Sequence, residues 1–148
     1  MKASTGIKWG LIFGVIIGLI VAGIIYSVIY APRMPTLQKE VYNLTLNETK
    51  GNVTQATLAE KELPTILPVT IVLFNGIGYA LGGGIGGIII AYMWEKNNSW
   101  IIKGLIGGVV ILVLSLFLSV LPLIENIPIS LVIGLLISYR LNTINRKV

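Results

Sequence analysis

The stretch of sequence that decides the fold is residues 68–94, PVTIVLFNGIGYALGGGIGGIIIAYMW, which carries no charge and contains seven glycines. A helix rises about 1.5 Å per residue, so a helix of this length exceeds the roughly 30 Å apolar thickness of a bilayer. In water each glycine would cost about 1 kcal/mol relative to alanine. In lipid an unpaired backbone amide costs several kcal/mol, which favours the helix regardless. The stretch therefore predicts a membrane-spanning helix.

The glycines of this segment recur every four residues. Small residues at that spacing let helix backbones approach closely, and in lipid such van der Waals packing takes the place of the hydrophobic drive between helices. The rows cover more than one side of the helix, which indicates several helical neighbours. We predict that the packing positions are Gly78, Gly82, Gly83, Gly86 and Gly87.

Two more specific interpretations of the same glycines fail on their context. Gly82, Gly84 and Gly87 match the phosphate-binding pattern G-x-G-x-x-G, but neither a strand-turn-helix unit nor an acidic residue about 20 positions later accompanies them. Residues 76–79 match part of the carbonyl-lined filter of potassium channels, but the preceding Thr and the following Gly are missing. Packing glycines remain the better interpretation.

The composition excludes several function classes. Hydrophobic residues make up 55% of the chain and charged residues only 11%, against about 25% charged in soluble domains. Cys and His are absent, which excludes disulfides, zinc sites, cysteine nucleophiles, histidine bases and His-ligated haem. The membrane segments offer Ser without any base, so we expect no catalytic site, and we expect no metal or cofactor. The net charge of +5 comes from residues near helix ends, so we expect no nucleic-acid partner.

Three further apolar segments, residues 9–30, 100–121 and 124–141, predict three more spanning helices. The first runs uncharged for 22 residues, longer than the about 7–15 residues of a cleavable signal peptide. The sequence thus predicts an all-α integral membrane protein, a single domain of four transmembrane helices with small-residue packing stripes. The stripes in these segments are Gly10, Gly14 and Gly18; Gly104 and Gly108; Ser115 and Ser119; and Ser130, Gly134 and Ser138.

The apolar part of the fourth segment, about residues 127–141, is short for a full crossing, so we expect it to include Leu123 and Ile124, to lie in a thinned bilayer or to be partly re-entrant. Asn126 is predicted to cap its beginning. Lys103, near the start of the third helix, is predicted to extend its side chain to the membrane interface.

Residues 31–67 form a polar segment that we predict to be an extramembrane loop without a core of its own. Tyr42, Leu44 and Leu46 alternate with polar residues as in an extended piece, and residues 57–60 predict a short helical turn that ends before Pro64. Every asparagine of this loop stands in an N-x-T sequon, which predicts glycosylation where the host has the machinery: Asn43, Asn47 and Asn52.

The distribution of basic residues predicts the orientation. Four crossings place both termini and the turn at residues 95–99 on one side, and the positive-inside rule assigns the side richer in Lys and Arg to the cytoplasm. We therefore predict a multi-pass protein of the cell membrane with cytoplasmic termini and residues 31–67 outside. A fourth sequon, at residues 97–99, would face the cytoplasm and stay bare. The richer set is Lys2, Lys8, Lys96, Lys103, Arg140, Arg146 and Lys147, and the poorer is Arg33, Lys39, Lys50 and Lys61.

Two functional hypotheses remain open. The first is a non-catalytic protein that acts through helix–helix association, as an accessory or assembly subunit of a membrane complex or as a homo-oligomer. The second is a small channel or transporter whose passage is lined by residues 76–87 around Asn75. Asn75 and Tyr79 are the candidate ligand contacts under the second hypothesis, and interhelical hydrogen-bonding residues under the first.

Overall fold

The computed structural model describes residues 1–95, 99–119 and 121–145. Almost all of these residues are helical, which confirms the predicted all-α fold class. The α-helices of the described chain are α1 Ala3–Ile25, α2 Met34–Glu48, α3 Val53–Tyr92, α4 Trp100–Leu118 and α5 Leu123–Asn145. A π turn at Tyr26–Tyr30 and 3₁₀ turns at Ala31–Arg33 and Met93–Glu95 complete the described elements.

Four helical stretches of the described chain are long and apolar enough to cross a membrane, which confirms the predicted number. They are Ala3–Glu48, Val53–Tyr92, Trp100–Leu118 and Leu123–Asn145. The prediction of a short fourth segment, made from residues 127–141, is wrong, because α5 has 23 residues and a length of about 35 Å. The helix does include Leu123 and Ile124, and it continues past Leu141.

The chain divides into two compact units. The bundle unit comprises Met1–Val21 and Leu73–Val148, and the hairpin unit comprises Ala22–Val72. The bundle unit therefore holds most of α1, the second half of α3, and both α4 and α5. The hairpin unit holds α2 and the first half of α3.

The contacts of the glycines show in which direction each helix of the bundle unit runs. α1 and α3 are antiparallel, since Gly6 lies against Gly87 and Gly10 against Gly83. α4 is antiparallel to both of its neighbours, α3 and α5, because its contacts with each follow in reverse order. The contacts between α3 and α4 are Gly82 with Ile111 and Gly86 with Gly107, and those between α4 and α5 are Gly104 with Leu135 and Gly108 with Leu131.

The bundle unit buries several polar residues within an aliphatic core and leaves many large apolar residues exposed. Its buried residues include Asn75, Asn126 and Ser130, each with no exposed surface. By contrast, Phe117 is 83% exposed and Ile124 is 82% exposed. The apolar windows of the four membrane-length stretches are only 28–33% buried. So many exposed large apolar residues are uncommon in a soluble domain, in which exposed apolar patches rarely exceed a few hundred Å².

The hairpin unit corrects the prediction of a loop at residues 31–67. Tyr42, Leu44 and Leu46, predicted to be extended, lie in the helix α2. A turn follows in which Lys50 and Gly51 take positive φ values of 53° and 92°. Positive φ reverses the chain at the end of a helix, so a second helix can return beside the first.

The helical turn predicted to end before Pro64 instead continues through Pro64 and Pro68 as part of the 40-residue helix α3. Asn52 begins this helix, because its Oδ1 accepts a hydrogen bond from the Gln55 backbone N–H at 3.2 Å. Proline lacks an N–H, so Pro64 cannot bond the carbonyl of Glu60 four residues earlier. The Gln38 side chain of α2 donates to that carbonyl at 3.1 Å instead. The carbonyl that Pro64 releases therefore keeps a hydrogen-bond donor.

Candidate functional site

The main polar feature of the bundle unit is a set of five side chains that we call the polar cluster: Tyr79, Ser115, Ser119, Asn126 and Ser130. Asn126 lies at its centre. Its Oδ1 accepts hydrogen bonds from the Tyr79 hydroxyl and from Ser115 Oγ, the latter at 3.1 Å. Its Nδ2 donates to Ser119 Oγ at 2.7 Å. Ser130 Oγ lies 3.4 Å from Ser115 Oγ, and one of these two hydroxyls donates to the other.

Three helices contribute to the polar cluster. Tyr79 comes from α3, Ser115 from the last turn of α4, and Asn126 from the first turn of α5. Ser119 is the C-cap of α4, where the backbone turns to an extended ψ of 153° and its N–H bonds the Ser115 carbonyl at 2.7 Å. Gly78 permits the approach of α3, since a Cβ there would lie 3.1 Å from Leu118 Cβ.

The predicted role of Asn126 as a helix cap is wrong. α5 begins at Leu123, so Asn126 lies inside the first turn, and its N–H bonds the Pro122 carbonyl at 3.1 Å. Its side chain faces the interior with no exposed surface. The spacing carried a signal for this, because Asn126 lies four residues before Ser130 in the row that continues through Gly134 and Ser138. An asparagine in that row shares the packed face of the helix.

The serines combine two kinds of hydrogen bond. Ser115 Oγ donates to the Leu112 carbonyl at 3.0 Å, as expected for a hydroxyl within an apolar helix. The same oxygen also belongs to the polar cluster. Ser138 Oγ, further along α5, donates to the Trp100 carbonyl at the start of α4 at 2.6 Å. Polar contacts therefore join α4 and α5 near both ends of the pair.

The two residues predicted as polar contacts, Asn75 and Tyr79, both lie buried on α3. Tyr79 is fully buried and its hydroxyl donates to Asn126, so it makes an interhelical hydrogen bond. Asn75 is also fully buried, one turn earlier on α3. A Cβ added at Gly18 of α1 would lie 2.9 Å from the Asn75 carbonyl oxygen, so the backbones of α1 and α3 approach closely there.

The glycines of α1 and α3 form a continuous backbone contact. A Cβ added at Gly10 would lie 2.0 Å from the Gly83 carbonyl oxygen, and one at Gly87 would lie 2.1 Å from the Gly6 carbonyl oxygen. One at Gly14 would lie 2.1 Å from the Tyr79 carbonyl oxygen. Gly6 is a contact that sequence reasoning missed, although it extends the four-residue spacing of Gly10 and Gly14.

The remaining predicted packing glycines contact α4 or α5. A Cβ at Gly86 would lie 2.7 Å from Ile111 Cγ1, and one at Gly82 would lie 3.3 Å from Ile111 Cγ2. Glycines of both α4 and α5 allow these two helices to approach closely. A Cβ added at Gly104 would lie 2.9 Å from Leu135 Cα, and one at Gly108 would lie 2.8 Å from Leu131 Cα. A Cβ added at Gly134 would lie 2.3 Å from the Gly104 carbonyl oxygen.

Aromatic and basic side chains meet at the end of the bundle unit where α1 and α4 begin. The Lys103 ammonium lies 4.3 Å from the centre of the Trp94 ring, and the Arg140 guanidinium lies 4.5 Å from that of Trp9. Trp100 and Tyr139 pack edge to face at 5.5 Å. The other basic residues predicted for this side divide between Lys2 and Lys8, which are exposed, and Lys96, Arg146 and Lys147, which lie outside the described residues.

The three sequon asparagines of the hairpin unit are all exposed. Asn43 and Asn47 lie on α2, four residues apart and therefore on one face. Asn52 caps α3 through its Oδ1, which leaves its Nδ2, the atom that carries a glycan, outside that bond. The fourth sequon, at residues 97–99, begins outside the described residues.

Each unit of the described chain has a cavity on its surface. An apolar groove of about 260 Å³ in the bundle unit is lined by Leu73, Phe74, Ile77 and Leu118. A polar depression of about 250 Å³ in the hairpin unit is lined by Lys39, Tyr42, Asn43 and Glu60.

The polar cluster consists of hydroxyls and one amide, so it offers neutral donors and acceptors rather than a charged ligand set. Within the described part of the chain, no three His, Cys, Asp or Glu residues lie together as metal ligands would. No known protein-family model, curated protein sequence or solved structure matches this chain. The site chemistry and the packing therefore carry the functional argument.

Proposed function

We propose that this chain is an integral membrane protein whose four apolar stretches cross the bilayer. The observation that carries the proposal is the distribution of residues in the bundle unit, in which polar residues such as Asn126 are buried while the large apolar residues Phe117 and Ile124 face outward. Lipid tails solvate such a surface without cost, whereas water would not. In lipid, the packed glycines supply van der Waals contact and the polar cluster supplies hydrogen bonds between helices.

The proposed orientation has both termini in the cytoplasm and the polar part of the hairpin unit outside the cell membrane. The pairing of Lys103 with Trp94 and of Arg140 with Trp9 supports it, because basic residues concentrate on the cytoplasmic side and aromatic residues at both membrane interfaces. Asn43 and Asn47 are exposed on one face of α2, which supports their glycosylation outside the cell.

The proposed role is that of a non-catalytic accessory or assembly subunit. The side chains of the polar cluster bond one another, which is typical of an interhelical clamp rather than of a reactive site. The glycines of α3 pack within the chain, which supports a rigid anchor whose partner contacts lie elsewhere. The hairpin unit offers such a surface, because Leu44 of α2 is 61% exposed and Leu58 of α3 is 53% exposed.

A small channel or transporter is the second candidate. Complete burial of Asn75 and Tyr79 favours it, since polar side chains inside a membrane bundle commonly mark a pathway. The packing of α3 weighs against it. Gly83 lies against the backbone of α1, and Gly86 lies against α4, so neighbouring helices occupy two sides of residues 76–87.

Extraction in a mild detergent, followed by a native gel and identification of co-purifying subunits, tests the proposal. We expect a species larger than the 16.0 kDa monomer with its detergent. Leu44→Ser and Leu58→Ser should dissociate that species while the thermal stability of the chain is kept. Asn75→Leu should leave it intact.

Flux measurements on vesicles separate the two candidates. If the chain extracts as a monomer and the reconstituted protein conducts ions in a way that Asn75→Leu abolishes, the accessory role is wrong and the channel role is right.

A further inference from the structure

Lys103 has an unusual position in the bundle unit. Its side chain is only 5% exposed, although lysine is one of the residues least often buried without a partner. The ammonium lies over the ring of Trp94, 4.3 Å from its centre, so the ring covers one side of the charge. A cation over a Trp face is attracted by it, but a ring provides no oxygen for the three N–H donors of an ammonium.

The electrostatic surroundings of Lys103 are positive. It lies in the first turn of α4, near the positive end of the helix dipole, which is an unfavourable place for a cation. Lys2, Lys8 and Arg140 belong to the same end of the bundle unit. Among the side chains that the structure describes, no carboxylate forms an ion pair with Lys103. An anion at this position would offset both the charge and the dipole.

We propose that Lys103 and Trp94 form a binding site for the phosphate of an anionic phospholipid. The inference rests on the proposed membrane insertion, which places this end of the bundle unit at the cytoplasmic interface. Phospholipid phosphates lie at that level, and basic pockets between helices on the cytoplasmic side recognise anionic headgroups. Trp94 would lie among the headgroups and the alkyl stem of Lys103 against α3 and α4, as amphipathic side chains do at interfaces.

Glu95 and Glu125 are the two acidic residues of the bundle unit. Glu125 lies in the first turn of α5, at the end where the polar cluster is. Glu95 directly follows Trp94, and its side chain is outside the described part. It is the competing anion, and the experiment must distinguish it from a lipid.

The test uses the full-length purified protein in nanodiscs of phosphatidylcholine with increasing fractions of phosphatidylglycerol. Native mass spectrometry counts the retained phosphatidylglycerol, and thermal unfolding reports the stabilisation that it gives. The variants are Lys103→Met, which keeps the stem and removes the charge; Lys103→Arg, which keeps the charge; and Lys2→Met, a matched loss of an exposed charge at the same end. Glu95→Gln and a titration of inorganic phosphate complete the set.

We expect phosphatidylglycerol to stabilise both the natural protein and the Lys103→Arg variant. The Lys103→Met variant should bind phosphatidylglycerol about fivefold more weakly, which corresponds to about 1 kcal/mol per basic residue near the surface. Lys2→Met should weaken it less than about twofold. Equal losses in Lys103→Met and Lys2→Met would overturn the site in favour of general attraction. Full stabilisation by inorganic phosphate in neutral nanodiscs would overturn the lipid assignment.

Two further outcomes keep the inference separate from the proposed function. If phosphatidylglycerol has no effect and Glu95→Gln destabilises the protein as much as Lys103→Met does, the counter-ion belongs to the chain and the inference fails while membrane insertion stands. If the protein does not enter nanodiscs at all, the proposed function itself fails. Should Lys103→Met not fold, Trp94→Leu keeps the charge and removes the ring, and unaltered phosphatidylglycerol binding by that variant would contradict the site.

Discussion

Replacement of Gly83 by alanine tests the packing of α1 against α3, with Gly84→Ala as the control at the same depth. A Cβ at Gly83 would lie 2.3 Å from the Gly10 carbonyl oxygen, about 1 Å closer than an ordinary contact. The obstacle is backbone, so it cannot rotate away. A Cβ at Gly84 would meet the end of the Leu11 side chain at 3.4 Å, which is ordinary van der Waals contact.

The difference between these two variants isolates the cost of the clash. Both gain the same helix propensity, about 1 kcal/mol in water, so that contribution cancels. Relief of the clash at Gly83 moves the helices apart by about 1 Å, and a gap of that size forfeits a quarter to a half of each dispersion contact that it opens. Overpacking of this kind costs about 1–3 kcal/mol. Gly83→Ala should therefore be less stable than Gly84→Ala by about that amount.

Unfolding in mixed micelles with increasing SDS, followed by circular dichroism, measures the difference. A difference of about 1–3 kcal/mol changes the ratio of folded to unfolded protein by roughly 5- to 150-fold. Gly76→Ala provides a second control, since the nearest atom to its Cβ would be Leu19 Cδ2 at 3.8 Å. If Gly83→Ala is as stable as both controls, α1 and α3 do not pack through these glycines and the described register is wrong.

Three further predictions concern the polar contacts. Asn126→Leu removes the centre of the polar cluster and should lower the free energy of unfolding in detergent by about 1–3 kcal/mol, because interhelical hydrogen bonds in membranes contribute about 0.6–2 kcal/mol each. Asn145→Leu, at an exposed position of the same helix, should change this free energy little. Equal effects of the two variants would contradict the role of the polar cluster as an interhelical clamp. Asn52→Ala should remove a glycan and also destabilise the hairpin unit by about 1 kcal/mol through loss of the helix cap, whereas Thr54→Ala removes the same sequon and keeps the cap. Equal stability of these two variants, compared by hydrogen exchange after deglycosylation, would refute the cap. Gln38→Leu leaves a released carbonyl of α3 without its donor and should raise hydrogen exchange around it, at a cost of about 1 kcal/mol; unaltered exchange would show that this hydrogen bond contributes nothing.

The number of membrane-length helices could be predicted because the signal is strong in each. Residues 68–94 combine uncharged length with glycines at helical spacing, and the structure has a helix throughout residues 68–92. Propensity scales for water would have rejected this helix, so the prediction depended on the choice of solvent. The predicted ends of the helices were less accurate, since α1 begins at Ala3 and α5 continues to Asn145.

The hairpin unit could not be predicted from local pattern because its helices depend on contacts between them. Residues 42–46 alternate like a strand, and Pro64 normally ends a helix, so both local signals indicated irregular structure. The hydrogen bond from Gln38 to the Glu60 carbonyl joins residues 22 positions apart. A local sequence pattern does not include both residues, so it could not predict that α3 continues through Pro64.

The polar cluster was predicted only in part. The sequence predicts polar contacts at Asn75 and, one turn further on, at Tyr79, because Asn75 is the most polar residue deep in its apolar segment. It predicts a cap at Asn126, because this residue follows Pro122 and Glu125 in a stretch that resembles a turn. Its four-residue spacing from Ser130 carried the better information. Helix position relative to the packed face, rather than proximity to a turn, decides where such a residue points.

Labelling of single cysteines tests the proposal that this is a four-helix membrane protein with both termini in the cytoplasm. The chain contains no cysteine, so Ser4→Cys, Glu40→Cys and Asn145→Cys can each be introduced alone. In intact cells a membrane-impermeant maleimide should label only Glu40→Cys, and the other two variants should react only after permeabilisation. Labelling of either terminal variant in intact cells, or protection of Glu40→Cys until permeabilisation, would contradict the account.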